Sequence, residues 1–165
     1  MLSLRPDLVP EEVTDELAKL TDHVPPFALA DVKRIIEEDL GKPINKIFKH
    51  FDEEPLAAAS LAQVHKAMLS NGTKVAVKVQ RPGIRSMIEK DIHIMAFLAR
   101  TIEEHVPEWR AFRPEALVKE FAVTIGRELD FTIEAIHAKR FAAMFENDPT
   151  VKVARIFKEH SAKNV

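Results

Sequence analysis

Apolar residues in this chain recur at two periods, and the change of period divides it into parts. Over the first forty or so residues they step by three or four. Val13, Leu17 and Leu20 form one stripe behind Pro10, Glu11 and Glu12, a good helix start because Pro fits the first turn and acids suit its positive end. Met1 to Pro10 reads as an irregular entry. Pro25-Pro26 interrupts the pattern. A second helix follows in ALADVKRIIEEDL, with Val32, Ile35, Ile36 and Leu40 inward and Gly41 placed to cap its C-terminus. Asn45 to Phe51 is a short helical or extended segment leading into a first strand.

The period then shortens to two. The runs LAQVHKAML and TKVAVKVQ flank Asn71-Gly72 and suit two antiparallel strands. A tight I′ turn needs φ > 0 at both central residues, which Asn and Gly supply, so the sequence predicts such a hairpin here. In its second strand Val75, Val77 and Val79 point to one face, and Ala76, Lys78 and Gln80 to the other. Just ahead of the first lies Ala57-Ala58-Ala59-Ser60. Small side chains there let backbone N–H groups approach a ligand closely, though less freely than Gly would.

After Pro82 the step of three or four returns. Ile84, Ile88, Ile92, Met95, Leu98 and Ile102 make one stripe, ended by Val106-Pro107. Arg113-Pro114 opens another long helix with Leu117, Phe121, Ile125, Leu129 and Ile136 on its stripe. It ends before the turn signal Asn147-Asp148-Pro149. Val151 to Lys158 reads as a strand, and a further strand begins near Asn164-Val165. The fold class is α+β, a small antiparallel sheet with long amphipathic helices.

Composition narrows the function. At 165 residues the chain is one domain by length, and a hydrophobic content of 46% with 30% charged residues reads as soluble and globular. A net charge of −2 gives no electrostatic reason to expect nucleic acid. There is no Cys, so disulfides and thiol catalysis are excluded. The seven His residues are scattered without metal-ligand spacing, so no metal site is expected. The longest clear apolar run, Ile94 to Ala99, is far short of the ~20 residues that cross a bilayer. Arg5, Pro6 and Asp7 stand where a secretory signal would carry its apolar region, so none is expected.

A small-residue loop, a strand, a tight turn and a strand ending Val-Ala-Val-Lys is the order of parts at the nucleotide end of a protein-kinase N-lobe. The tetrapeptide alone also suits a solvated lysine on an amphipathic strand. The longer combination PLAAASLAQVHKA and NGTKVAVKVQRPG is more specific. It resembles the AarF/UbiB (ADCK) family of atypical, protein-kinase-like proteins, in which an Ala-rich loop replaces the usual Gly-rich one. LRPDLVPEE, ELDF and VKVARIFKE extend the resemblance over nearly the whole chain.

The resemblance implies a kinase-like N-lobe over residues 51–165, with a first strand that runs into Pro55, an inserted helix over 83–106 and a helical extension over 1–50. It implies ATP or ADP with Mg²⁺ as ligands. Ala57, Ala58, Ala59 and Ser60 become the loop over the nucleotide, Ala76 the residue on the adenine face and Lys78 the phosphate lysine. The Glu-x-Asp motif of the family is matched by Glu128-Leu129-Asp130. Glu128 follows Leu117 by eleven positions, about 20° from whole turns at ~3.6 residues per turn, which aims it along the apolar face. A carboxylate so directed needs a partner. Lys78 with Glu128 is therefore the expected ion pair, with Asp130 as the motif's second acid. Each residue also has a plainer reading: Ala57 to Ser60 as a simple turn, Ala76 as a spacer between valines, and Glu128 as a solvated stripe edge.

The family's Lys-x-Gly-Gln motif precedes a segment resembling MLSLRPDLVP and is not in this sequence. Neither is a His-x-Asp catalytic-loop pattern followed by Asn, an Asp-Phe-Gly or any equivalent metal-binding Asp. The chain reads as an N-lobe with the C-lobe absent, a fragment or truncated gene product without catalytic turnover of its own. The missing C-lobe is an expected partner. The resemblance links the intact family to ubiquinone and other isoprenoid-quinone lipid metabolism at or near membranes. A non-catalytic regulatory or interaction module with the same fold remains the alternative.

Overall fold

A computed structural model describes residues 24–165, so the expected helix over Val13, Leu17 and Leu20 lies outside the described residues. In order, the elements are α1 (Leu29–Leu40), α2 (Ile44–Ile47), β1 (Phe48–Phe51), β2 (Ala57–Ala58), β3 (Ala62–Leu69), β4 (Lys74–Gln80), α3 (Ile84–His105), α4 (Pro114–Glu128) and α5 (Phe131–Met144). Short 3-10 helices cover Pro107–Phe112 and Lys158–His160. The architecture is α+β, as the periods predicted.

Strand β3 is the hub, and β1, β2 and β4 each pair with it antiparallel. β4 runs along one edge of β3, while β1 and β2 share the other. The expected hairpin forms, but its turn differs from the predicted I′ type. Gly72 N–H donates to the Leu69 carbonyl at 2.9 Å and Leu69 N–H to the Thr73 carbonyl at 2.9 Å. Gly72 has φ 85°, and Asn71 is not among the residues with positive φ. This is a three-residue loop, a type I turn closed by a left-handed glycine. Asn71 contributes through its side chain, whose Oδ1 accepts from Thr73 N–H at 3.0 Å.

One face of the sheet carries the core. Val77 and Val79 of β4, Ala67 and Leu69 of β3, and Phe48 of β1 pack against Val32, Ile35 and Ile36 of α1. Val32, Ile36 and Val79 are completely buried. α1 ends at Gly41, whose φ of 66° and N–H bond to the Glu37 carbonyl make the expected left-handed cap. The first strand stops at Phe51 and does not reach Pro55.

The same face holds a buried polar relay whose orientation follows from the backbone groups at its ends. Phe27 N–H can only donate, so Gln63 turns its Oε1 to it at 2.9 Å. The Gln63 amide nitrogen then faces His65 Nε2 at 3.0 Å. The Asp52 carbonyl can only accept, so His65 Nδ1 carries the proton and donates at 2.8 Å. His65 is thus held as one neutral tautomer, fully buried and stacked on Phe51 with ring centroids 5.0 Å apart. Among the described residues no buried side-chain polar atom lacks a partner.

The helices after Pro82 pack more lightly. α3 has the predicted span, but only Ile84 and Ala99 are buried, and Met95 and Leu98 of the expected stripe are exposed. The single helix expected from Pro114 to the Asn147 turn is two. α4 ends at Glu128 and α5 begins at Phe131, with Asp130 extended between them as the N-cap. Leu117 and Ile136 of the expected stripe are exposed, while Leu129 at the break is buried. The predicted turn at Asn147-Asp148-Pro149 holds. Asp148 Oδ1 accepts from the Thr150 hydroxyl and N–H, which keeps its carboxyl below the usual carboxylate range.

The strand expected over Val151 to Lys158 does not form. Phe157 and Val165 pack against the core, and one backbone hydrogen bond joins the last residues to the sheet, where Gln80 N–H donates to the Asn164 carbonyl at 2.9 Å. Asn164 is fixed from the other side by Asp39, which accepts from its N–H at 2.7 Å and its side-chain nitrogen at 2.9 Å. One such bridge does not make a ladder, so apart from the 3-10 turn at Lys158–His160 the segment from 151 onward is irregular.

Two stability predictions follow from this packing. Ile36→Ala should lower the unfolding free energy by about 2–5 kcal/mol through the cavity it leaves, read by denaturant titration. Gln63→Leu should cost about 1–3 kcal/mol despite its similar size, because Phe27 N–H and His65 Nε2 lose their partner. An equal cost for Arg34→Ala, an exposed ion-pair residue on α1, would show that the relay contributes nothing special.

Candidate functional site

The face of β4 opposite the core carries Ala76, Lys78 and Gln80. Register places Ala57 opposite Val64, and Val64 opposite Lys78. Ala57, Val64 and Lys78 therefore stand in one row across three strands and share a face. At ~4.8 Å per strand the Ala-rich segment lies roughly 10 Å from the lysine backbone.

The Ala-rich stretch is a short strand and a turn, more ordered than the free loop expected. Ala57 and Ala58 form β2, and Ala59 N–H donates to the Ala62 carbonyl at 2.8 Å. Arg81, just past β4, clamps the turn from below. Its Nε donates to the Ser60 carbonyl at 3.1 Å, and its Nη2 to the carbonyls of Ala59 at 3.2 Å and Pro25 at 2.9 Å. Its guanidinium also lies over the Phe27 ring, 5.4 Å from the centroid.

Lys78 makes the site's ion pair, and its partner is Glu134. The Lys78 Nζ lies 2.6 Å from Glu134 Oε2 and 4.4 Å from the centroid of the Phe131 ring. Both partners stand in the first two turns of α5. The expected pair with Glu128 does not form, for two physical reasons. Leu117, from which the phase of Glu128 was reckoned, is itself exposed, so that side of the helix is not an inward face. The helix also stops at Glu128, which is exposed at its end. Asp130 is a structural cap, its Oδ1 accepting from Thr132 N–H at 3.1 Å and from the Thr132 hydroxyl at 2.5 Å.

Glu134 is the residue the sequence reading missed. The signal for it was present. An Asp in an N-cap position followed by an acid within the next turn marks a new helix start, and Asp130 with Glu134 fits that pattern.

A cleft of about 560 Å³ opens between β4, α5 and the segment 154–165. Ala76 and Lys78 line it, whereas Ala57 to Ser60 do not. Its charged lining is Lys74, Lys78, Arg155 and Glu134, with His160 beside them. Positive groups outnumber negative ones, and an anion is the ligand such a lining favours. Among the described residues no group of three or more potential metal-ligating side chains occurs. No helix among them is long and apolar enough to cross a membrane.

Comparison with known proteins bears on the family and the fold. The model of the ABC1 atypical kinase-like domain matches residues 19–165. Over 165 residues the chain is 39% identical to the probable protein kinase UbiB of Marinobacter nauticus, covering all of this chain and 30% of that protein. It is 41% identical to the chloroplastic protein ACTIVITY OF BC1 COMPLEX KINASE 7 of Arabidopsis thaliana, covering 99% of this chain and 23% of that one. Among solved structures, the Rv3197–erythromycin complex from Mycobacterium tuberculosis superposes with a TM-score of 0.73 at 29% identity, over 99% of this chain and 41% of that chain. The chain thus spans less than a third of the curated UbiB relatives it matches. With the kinase-like arrangement of hairpin, lysine and acid already in place, the match over residues 19–165 makes this chain a member of the ABC1 (UbiB/ADCK) atypical kinase-like family.

Proposed function

We propose that this chain forms the nucleotide-binding N-lobe of a UbiB-type atypical kinase or ATPase, taking the phosphates of ATP or ADP at Lys78. The observation that carries the reading is the Lys78–Glu134 contact of 2.6 Å beside an electropositive cleft. In kinase-like sites a strand lysine held by a helix glutamate reaches the phosphates. Ala76 supplies a small side chain on the same face, suited to a flat base. The Ala57-Ala58-Ala59-Ser60 segment begins two strands across from Lys78, with Ala57 in the row they share, and from there we assign it the covering of the nucleotide. Glu128 and Asp130 complete the assignment as the family's paired acids, with Asp130 also capping α5.

The lining suits a polyphosphate, since three of its four Lys, Arg and acidic groups are cationic. Mg²⁺ enters with the nucleotide, held by ligands other than the residues described. ATP supplies the transferable phosphoryl group in the proposed activity. Lys78 orients the phosphates and Glu134 holds Lys78 in place. The proposal extends to the family's link with ubiquinone and other isoprenoid-quinone lipids, at or peripheral to a membrane. A second reading, a non-catalytic interaction module on this fold, draws on a different observation. Phe97, Phe112 and Met144 on the helical part are each about two-thirds exposed or more.

Nucleotide binding distinguishes the readings. In calorimetric titration with ADP, Lys78→Met should weaken binding by about ten- to a hundredfold, the worth of a charge-assisted hydrogen bond. Glu134→Gln should weaken it less, and Glu128→Gln by no more than about twofold, because Glu128 does not reach the cleft. ADP affinity indifferent to Lys78→Met would sink the nucleotide reading and leave the interaction module.

A further inference from the structure

The contact between Lys78 and Glu134 joins two elements far apart in sequence, so something must fix α5 against β4. The α4–α5 junction shows what does. Leu129 follows the last residue of α4, and its carbonyl has left the helical ladder. Two side chains donate to it. Gln80 Nε2 lies 3.0 Å away and Arg85 Nη2 2.8 Å away. Gln80 is 4% exposed and Leu129 2%, so the bonds form in a dry setting. Gln80 sits two residues beyond Lys78 on the same face of β4. Arg85 stands in the first turn of α3.

The spacing on the two elements matches. Along β4, Lys78 and Gln80 are ~6.6 Å apart at two residues of strand rise. Along the partner, Glu134 lies five residues past Leu129, just over one turn of helix after the cap. Gln80 thus holds the start of α5 while Lys78 meets its first turn at Phe131 and Glu134. Phe131 N–H donates to the Lys163 carbonyl at 3.1 Å, which restrains the same turn from the far side.

We infer that Gln80 and Arg85 are positioning residues, which set the place of Glu134 against Lys78 by gripping the Leu129 carbonyl. Through Arg85 the grip includes α3, so the ion pair depends on a helix that does not line the cleft. Its bearing on nucleotide chemistry rests on the reading proposed above; the grip itself does not.

The test therefore reads the ion pair without nucleotide. In the 165-residue chain, the ¹⁵Nζ resonance of Lys78 should be visible as a slowly exchanging ammonium that Glu134→Gln abolishes. Gln80→Met keeps the bulk of the side chain and removes the donor, and Arg85→Met does the same at the half-buried position. The double variant should lose that resonance and speed amide exchange at Phe131 to Ala135 by about tenfold, the effect of losing one or two buried hydrogen bonds. Arg85→Lys, which retains a donor, should restore the signal partly in the Gln80→Met background. Where Gln80→Met fails to fold, Arg85→Met alone should weaken the signal with far-UV circular dichroism unchanged. A folded double variant with an unaltered Lys78 resonance overturns the inference, and so does a parent chain with no Glu134-dependent signal. Loss of ADP binding by the parent would instead count against the nucleotide reading and leave the grip standing.

Discussion

The cleft owes its form to the way the chain turns at Leu129. An α-helix that simply continued from Pro114 would carry residue 134 onward along one axis. The Leu129 N–H still closes on the Ile125 carbonyl at 3.0 Å and Asp130 N–H on Arg127 at 3.1 Å, a tightened last turn. Asp130 then takes an extended conformation, φ −127° and ψ 95°, and its carboxylate caps the next helix. The break costs helical hydrogen bonds, and the structure replaces them with Gln80, Arg85 and the cap. Burial of the Leu129 side chain adds about 1.5–3 kcal/mol, enough to hold the turn in place.

The two faces of the sheet differ in what a substitution costs, although the cleft also touches Phe48, Leu69 and Val77 of the core. The α1 face has the dry aliphatic core and the Gln63–His65 relay, both with steep penalties for substitution. The Lys78–Glu134 pair is different. Its side chains are 43% and 61% exposed, and a pair that open contributes only about 0–1 kcal/mol to folding. Stability alone gives little reason for a lysine and a glutamate to meet at 2.6 Å across 56 residues of sequence. A task at the cleft gives a better one, since an ammonium held in one place is already oriented for an anion.

What could be read from the sequence was whatever is decided locally. The β3–β4 hairpin, the inward valines of β4, the outward Ala76 and Lys78, α1 and its Gly41 cap all follow from period and turn chemistry within about ten residues. The I′ turn was wrong because three loop residues, with Asn71 bonding through its side chain, satisfy the same Asn-Gly signal. The partner of Lys78 was misassigned because helical phase was extrapolated from Leu117, and amphipathic phase means nothing on a helix whose apolar stripe is exposed. The strand over Val151 to Lys158 has the right alternation but no neighbour along its length, and a strand is decided by its partner. The turn was decided within the loop itself, whereas the other two misses lie where a distant contact, and not the local chain, determines the outcome.

The two halves of the candidate site therefore differ in mechanical character. Lys78 belongs to a sheet braced on a fully buried core. Glu134 belongs to α5, where Phe131 is the only buried residue and whose neighbours α3 and α4 bury only Ile84 and Ala99 between them. Elements with few buried apolar side chains open at lower free energy than the core they adjoin. The acid is thus the movable member of the pair and the lysine the fixed one. The Leu129 carbonyl is where the movable part is pinned to the fixed part. A contact that shifts α3 acts on Arg85 and so on that carbonyl, and also on α4, against which α3 packs, and by both routes on the distance between Glu134 and Lys78.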